Sequence, residues 1–339
     1  MAKRHISRRK KEKMKKTLAT LAFILLVSLG LFFMHRWEER DVVPESRETE
    51  SNRAGQQETG YLIYNDEKYE KKDVETVLLI GIDKFAEDIT NDSYNNQQQC
   101  DFLLLMVIDH KAKTCTPVQI NRDTMAPVMV LSVTGDQIGT VDKQIALAHT
   151  YGSGREDSCE NTAFSVSSIF WDQPVDHYIS VTMDAVQILN DLVGGVTVLV
   201  EDDFSRVDET LIQGQKVTLF GEHALTFVRS RGSMEDSTNL ARMERQRQYL
   251  GGLREQTVTA IEADAGFAID SLLRIAPYMV SDCTVNQLSD IANDVANYEM
   301  RPIQPLKGNA VKGEEFMEYY LDDEALFDMI ATLFYQPVE

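Results

Sequence analysis

"ETVLLIGID", residues 75–83, and "CDFLLLMVIDHKAKTCTPVQIN", residues 100–121, decide the fold. The first is an apolar run too short for an ordinary helix and broken by Gly81, which fits a buried strand. The second holds two further apolar runs, 101–109 and 114–121, joined by "HKAK", the length of a hairpin turn. Working outward, "HYISV" (177–181) and "GVTVLV" (195–200) read as strands, with Gly194-Gly195 as the turn before the second. Helical periodicity occupies about 142–151, 160–170, 183–192, 239–258, 284–298 and 323–335. Strands mixed with helices predict an α/β domain, a mixed β-sheet flanked by helices, over residues 73–339.

The hairpin carries a geometric expectation. With Asp109 opposite Lys113, residue numbers across the pair sum to about 222. Asp101 then faces Asn121, beside Arg122 and Asp123, and Cys100 faces Arg122 rather than Cys115. If strand 76–82 runs antiparallel to 101–109, Asp83 leaves the sheet at the same edge. The connection 84–100, "KFAEDITNDSYNNQQQC", overhangs that edge, and connections of this length are usually functional or mobile.

The formal net charge of −20 is unevenly distributed. Residues 1–16 hold nine Lys/Arg and one Glu, residues 17–34 hold no charge, and the remainder carries −28. Eighteen apolar residues span roughly 27 Å, close to the thickness of a bilayer core. No small-residue cleavage site follows them, so the run is expected to be a signal anchor rather than a cleaved peptide. The basic leader places the N-terminus in the cytoplasm. The expected organisation is a cytoplasmic tail at 1–16, a transmembrane anchor at 17–35, a Glu-rich flexible linker at 36–72 and an extracytoplasmic domain at 73–339. A nucleic-acid role for the basic tail is excluded by its position against the span. There is no P-loop, GxGxxG or zinc-finger spacing. Cys100, Cys115, Cys159 and Cys283 lie where disulfides are permitted, yet four small buried thiols serve as well. His149 and His177 stand alone in sequence and read as core or surface histidines rather than ligands.

"FVRSRGSMEDSTNLARMERQRQ", residues 227–248, gathers Arg229, Arg231, Arg242, Arg245 and Arg247. Arg242, Arg245 and Gln246 share one helix face, with Asn239 near that helix's N-terminus. Arg229 and Arg231, two apart, point the same way if their segment is extended. Such a cluster needs anions. The chain's own carboxylates supply one answer, a salt-bridge network; a diphosphate supplies the other. Asp83 and Asp101 beside it make sense as ligands for Mg²⁺ or Mn²⁺, a metal of the kind that takes one or two carboxylates plus phosphate oxygens.

These blocks resemble the LytR–CpsA–Psr family of cell-wall glycopolymer ligases. "LLIGID", "CDFLLLMVID", "VQINRDTM", "VDKQIALAHTYG", "LVGGVTV", "GEHALTFVRSR" and "NLARMERQRQ" occur in family order over about residues 74–250. The resemblance implies a Mg²⁺-dependent phosphotransferase of Gram-positive type. It would move a teichoic-acid- or capsule-like glycopolymer, with its proximal phosphate, from polyprenyl diphosphate to peptidoglycan. Residue by residue it implies Asp83 and Asp101 for the metal, and Arg122, Asp123, Arg229 and Arg231 for catalysis. Lys143, Arg229, Arg231, Asn239, Arg242, Arg245 and Gln246 would hold the diphosphate. Four departures stand out: Asn121 where the pattern has Pro, Asn239 where it has Asp, "QQQCD" in place of Arg-Ser-Asp, and Gln144-Ile145 where an Asn follows the Lys of the pattern two residues on. A lipid-diphosphate hydrolase and a non-catalytic polyprenyl-diphosphate-binding regulator are the alternatives.

Overall fold

The computed structural model describes residues 61–64, 67–85, 96–132, 134–230, 239–264 and 267–338. The expected tail and anchor, most of the linker, the middle of the 84–100 connection, and Arg231 lie outside the described residues. Among the described residues no helix is long and apolar enough to cross a membrane.

Strands β1 (Tyr61–Tyr64) and β2 (Glu67–Lys71) form a hairpin within the segment expected to be a linker. The centre is built from β3 (Val74–Ile82), β4 (Cys100–Asp109) and β5 (Thr114–Ile120), followed by the hairpin β6 (Met125–Leu131) and β7 (Gln137–Gln144). A 3₁₀ turn, Ile145–Thr150, leads to α1 (Glu156–Ile169), β8 (His177–Thr182) and α2 (Met183–Leu192). Then come β9 (Val196–Leu199), β10 (Lys216–Leu219), α3 (Glu222–Arg229), α4 (Leu240–Ala263) and α5 (Phe267–Ile275). The chain closes with β11 (Met279–Ser281), α6 (Val285–Asn297), β12 (Glu299–Met300), β13 (Gln304–Pro305), the hairpin β14 (Gly308–Lys312) and β15 (Met317–Leu321), α7 (Asp323–Phe334) and β16 (Tyr335–Pro337). β16 pairs with β2 and so ties the end of the described chain to its start.

The central sheet runs β11-β8-β3-β4-β5-β12, with β13 also on β5. β3, β4 and β5 are antiparallel neighbours, whereas β8 lies parallel to β3, so the sheet is mixed as expected. Alternate residues of each strand feed opposite faces. Leu78, Ile80, Leu103, Leu105 and Val118 pack with Val166, Ile330 and Phe334 of α1 and α7. On the other face Val77, Ile108 and Ile179 pack with Ala185, Ile275, Leu288 and Ile291 of α2, α5 and α6. Burying each such aliphatic side chain contributes about 1.5–3 kcal/mol. Both faces are covered, which is why the strands read as nearly continuous apolar runs. A third cluster, Val196, Val198, Phe204, Leu219, Phe227, Tyr249 and Leu253, joins β9 and β10 to α3 and α4.

Several boundaries differ from expectation. Residues 142–144 belong to β7, so the helical pattern expected at 142–151 is reduced to one 3₁₀ stretch. Helix α3 was hidden because its eight residues fall below the length at which periodicity stands out. The central hairpin pairs Asp109 with Thr114 and Leu103 with Ile120, a sum of 223 rather than 222. Lys113 takes a positive φ of 55° and closes the turn instead of pairing. Cys115 therefore faces Ile108, and all four cysteines are buried, free thiols. Gly194 and Gly195 form the expected turn with φ of 82° and 86°, and a Cβ at Gly195 would meet the Leu219 carbonyl at 2.8 Å.

Candidate active site

The site lies where β3 and β5 leave the sheet and β4 enters it. Register slips here: Gly81 pairs with Phe102 but Ile82 pairs with Cys100, leaving Asp101 as the extra residue of a bulge. Bulges re-aim a side chain. A Cβ on Gly81 would stand 2.9 Å from the Phe102 Cβ, so only glycine suits this close crossing. Asp83 follows β3 directly, and its carbonyl accepts from Met183 N, the first residue of α2, at 3.2 Å. Asn121, Arg122 and Asp123 follow β5. The three segments thus meet at one edge, as expected.

Arg122 is 6% exposed. It donates through Nη1 to Asp101 Oδ1 and through Nη2 to Gln99 Oε1, while its Nε lies 3.5 Å from Asp123 Oδ1. Arg242, on α4, approaches the same Asp101 oxygen with Nη1 at 3.4 Å. Two guanidiniums therefore converge on one carboxylate. Arg229 donates to Asp83 Oδ2 at 2.9 Å, with both side chains nearly half exposed. Arg229 is the last residue of α3, not part of an extended lead-in, and a cation suits that end of a helix. Gln99, Asp101, Arg122, Met183, Val228, Arg229, Arg242 and Gln246 line a cavity of about 370 Å³.

The remaining expected residues fall outside this lining. Arg245 shares the buried face of α4 but points away, donating to Asp202, to the Phe227 carbonyl at 3.0 Å and to the Ser230 carbonyl. Asp123 is held by Gln144 Nε2 at 3.1 Å, behind Arg122. Lys143 sits on β7, half-buried, opposite Ala126. Asn239 is the N-cap residue of α4 yet makes no side-chain cap; its Nδ2 donates to Asn121 Oδ1 at 3.0 Å. Two of the departures from the pattern, Asn239 and Asn121, are thus partners of one another. Gln119 extends this seam to Gln246 Oε1 at 3.3 Å, and Arg247 donates to Gln119 Oε1 at 2.6 Å.

Sequence reasoning missed Gln99, Met183 and Val228. Gln99 was within reach, two residues before Asp101 on an approaching strand and so on its face. Met183 was signalled by its place at a strand-to-helix junction, where α/β folds gather ligands. Beneath the site, burial pushes the Cys100 thiol up to about 12, so it stays protonated despite the nearby Arg122. The Asp83 Oδ1 atom is shielded from solvent with no hydrogen-bond partner among the described residues. An orphaned carboxylate oxygen at the rim and the Asp101 carboxylate in the cavity wall are hard oxygen donors, which fits a small divalent cation.

Comparison with known proteins places the chain in a family. The model of the LytR_cpsA_psr family matches residues 41–333. A protein of Bacillus licheniformis named polyisoprenyl-teichoic acid–peptidoglycan teichoic acid transferase TagU is 26% identical over 327 residues, covering 96% of both chains. Among solved structures, TagT bound to LI-WTA superposes with a TM-score of 0.57 at 22% identity, over 77% of this chain and 90% of that one. Bacillus subtilis TagV gives a TM-score of 0.56 at 22% identity, over 78% and 96%. The structural matches speak for the fold.

Proposed function

The chain belongs to the LytR_cpsA_psr family, and from that membership and the cavity's geometry we propose that it is a glycopolymer–peptidoglycan phosphotransferase of cell-wall assembly. It transfers a teichoic-acid- or capsule-like glycopolymer, with its proximal phosphate, from a polyprenyl diphosphate to a peptidoglycan hydroxyl. The observation that carries this is Asp101 held between Arg122 and Arg242, with the Arg229–Asp83 pair beside the same cavity. Arginine forks match phosphate oxygens and keep their charge at every relevant pH. An incoming diphosphate exchanges for the carboxylate on Arg242 and Arg229, whose contacts are the longer or more exposed ones.

Chemistry of this kind asks the protein for positioning and charge neutralisation more than for covalent work. In this proposal Arg122, Arg229, Arg231 and Arg242 hold the phosphate oxygens, and Gln246 orients Arg242's end of the cavity. Asp101 faces the acceptor and takes its proton, while Asp123 fixes Arg122 from behind. Asn239 and Arg245 act on the diphosphate site indirectly, Arg245 by holding the end of α3 and Asn239 by holding the start of α4, and Lys143 acts from the neighbouring hairpin. Mg²⁺ held by Asp83 and Asp101 would neutralise the diphosphate and polarise the leaving phosphate. Residues 17–35 anchor the chain by a single span, with its N-terminus cytoplasmic and residues 61–338 outside, facing lipid-linked donor and wall acceptor. The basic leader and uncharged run support this topology.

The test is a transfer assay on the full chain with synthetic glycan-diphosphate-polyprenol, a peptidoglycan oligomer and Mg²⁺. Product that needs the acceptor, and that disappears in Asp83→Ala, is the expected result. Release of polyprenyl phosphate without acceptor would make the protein a hydrolase. Tight donor binding without turnover, surviving loss of Asp83 and Asp101, would make it a binding protein.

A further inference from the structure

The far end of the same sheet carries a second cluster, about five residues back along the strands, roughly 17 Å at 3.3 Å per residue. His177 opens β8, opposite Val77 of β3. Asp282 and Cys283 follow β11, which pairs antiparallel with β8. One ligand atom each from His177, Asp282 and Cys283 lies within 4.8 Å of the others. His177 Nδ1 is 3.6 Å from Asp282 Oδ2, and Cys283 Sγ is 3.7 Å from Asp282 Oδ1. Ligand bonds of 2.0–2.3 Å in a tetrahedral zinc site put neighbouring donors about 3.3–3.8 Å apart, and each separation is of that size, one to each oxygen of the Asp282 carboxylate.

Three observations make this more than a surface group of charges. His177 Nδ1 is buried, has no hydrogen-bond partner among the described residues, and faces Asp282 Oδ2 at 3.6 Å. The donors are held by backbone: Asp282 Oδ1 accepts from Tyr178 N at 2.9 Å, and Ser281 Oγ bonds both the Tyr178 carbonyl at 2.7 Å and Cys283 N at 3.2 Å. On the far side of the ring, His177 Nε2 lies 3.7 Å from Glu75 Oε1. A carboxylate facing the outer nitrogen is the arrangement that orients metal-binding histidines. Gln287 Nε2 also stands 3.2 Å from that nitrogen, its Oε1 held by Thr284 N at 2.9 Å, so a metal on Nδ1 requires the Gln287 amide to give up this contact.

We propose that His177 Nδ1, Asp282 and Cys283 bind zinc(II), with solvent in the fourth position, at a site independent of the cavity's reaction. An imidazole, a thiolate and a carboxylate suit zinc and disfavour magnesium or calcium, which take oxygen alone. Binding displaces the thiol proton to solvent. Asp282, one-third exposed, gives the ion its entry. Fastened there, the ion clips the end of β11 to the start of β8.

Metal-stripped full-length protein would be titrated with Zn²⁺ against a chromophoric chelator, and with Co²⁺ to read thiolate-to-cobalt charge transfer. One zinc per chain is expected in wild type and in Asp83→Ala. Cys283→Ser and His177→Ala should each weaken binding at least tenfold, and Cys283→Ser should abolish the cobalt band. Zinc should also raise the unfolding midpoint of wild type but not of Cys283→Ser, which is nearly isosteric and keeps the fold. The adjacent Glu75, His110 and Asp294 bring one ligand atom each within 4.8 Å, so His110→Ala is the decisive control. Loss in His110→Ala with retention in Cys283→Ser, loss in Asp83→Ala, or binding no tighter than micromolar would each overturn the proposal.

Discussion

Arg242 and Arg245 stand three residues apart on one face of α4, each with a side chain only 5% exposed, yet they meet different partners. Arg242 meets the cavity and shares Asp101 with Arg122. Arg245 is sunk among Asp202, two backbone carbonyls and the Phe204 ring, 5.4 Å from its centroid. Those carbonyls, of Phe227 and Ser230, lie at the end of α3, so Arg245 fastens that end of the helix. Equal burial and a shared face do not make two arginines equivalent; the partners decide. One contacts a carboxylate that a diphosphate can replace, and the other contacts backbone that nothing replaces.

The comparison breaks if Arg245 can be removed without loss of stability. Arg245→Ala leaves Asp202 without its guanidinium and two carbonyls without a donor, and breaking such a buried pair costs about 3–5 kcal/mol. The melting temperature should fall by roughly 10 °C, read by calorimetry or circular dichroism. Arg242→Ala should do the reverse. Asp101 keeps Arg122, so the melting temperature should move little, while the transfer rate should fall about 10²–10³-fold, or about 2.7–4 kcal/mol in the barrier. Equal loss of activity at unchanged stability in both variants would show that Arg245 contacts substrate.

Much of this was legible in advance. The strand runs at 75–83 and 100–121, the antiparallel pairing and the convergence of Asp83, Asp101 and Arg122 all follow from apolar period and one hairpin. The partners of the arginines were not legible. Asp202 lies 43 residues from Arg245 on a turn-rich connection, and the Gly81–Ile82 bulge that re-aims Asp101 leaves no periodic trace. His177 looked solitary because Glu75, Asp282 and Cys283 reach it only through strand pairing. His149, read as a core or surface histidine, is fully buried.

His149 sharpens the contrast by acting on the cavity side alone. Its Nδ1 bonds the Gln98 carbonyl at 2.9 Å and so must carry the proton of a neutral ring, while Nε2 has no partner among the described residues. Burial pushes its pKa down to about 4 from an ordinary 6.5. A depressed histidine stabilises the fold fully above the unfolded value. That contribution is lost as pH falls through 6.5 toward 4, where the unfolded chain takes up the proton first, and amounts to about 3 kcal/mol in all. Gln98 precedes Gln99, which braces Arg122. Amide protection at residues 96–100, corrected for the intrinsic exchange rate at each pH, should therefore fall between pH 6.5 and 4 while that of the segment around Asp202 holds. His149→Gln should flatten the acid limb of the stability curve; an unchanged limb would assign it to other groups.

The smallest effect concerns the start of α4, where Asn239 Nδ2 meets Asn121 Oδ1, an oxygen that also accepts from Asp123 N at 3.0 Å. Asn239 occupies a position where the family pattern has Asp, and Asn121 one where it has Pro. With Asn121 present, an aspartate at 239 would bring two acceptor oxygens to the 3.0 Å now spanned by a hydrogen bond. With no side-chain oxygen at 121, that conflict vanishes. The two departures are therefore one change made in two places. Asn239→Asp should cost about 1 kcal/mol or more in the native background and clearly less in Asn121→Ala, giving a coupling energy of about 1 kcal/mol in a urea-unfolding cycle. Additive costs would mean that Asn239 answers to something other than Asn121. Activity can be followed through the same cycle. If Asn239→Asp raises transfer in the Asn121→Ala background, the aspartate of the family pattern contributes to the chemistry itself; if it does not, the pair only holds the base of α4 against β5, and Arg242 with it.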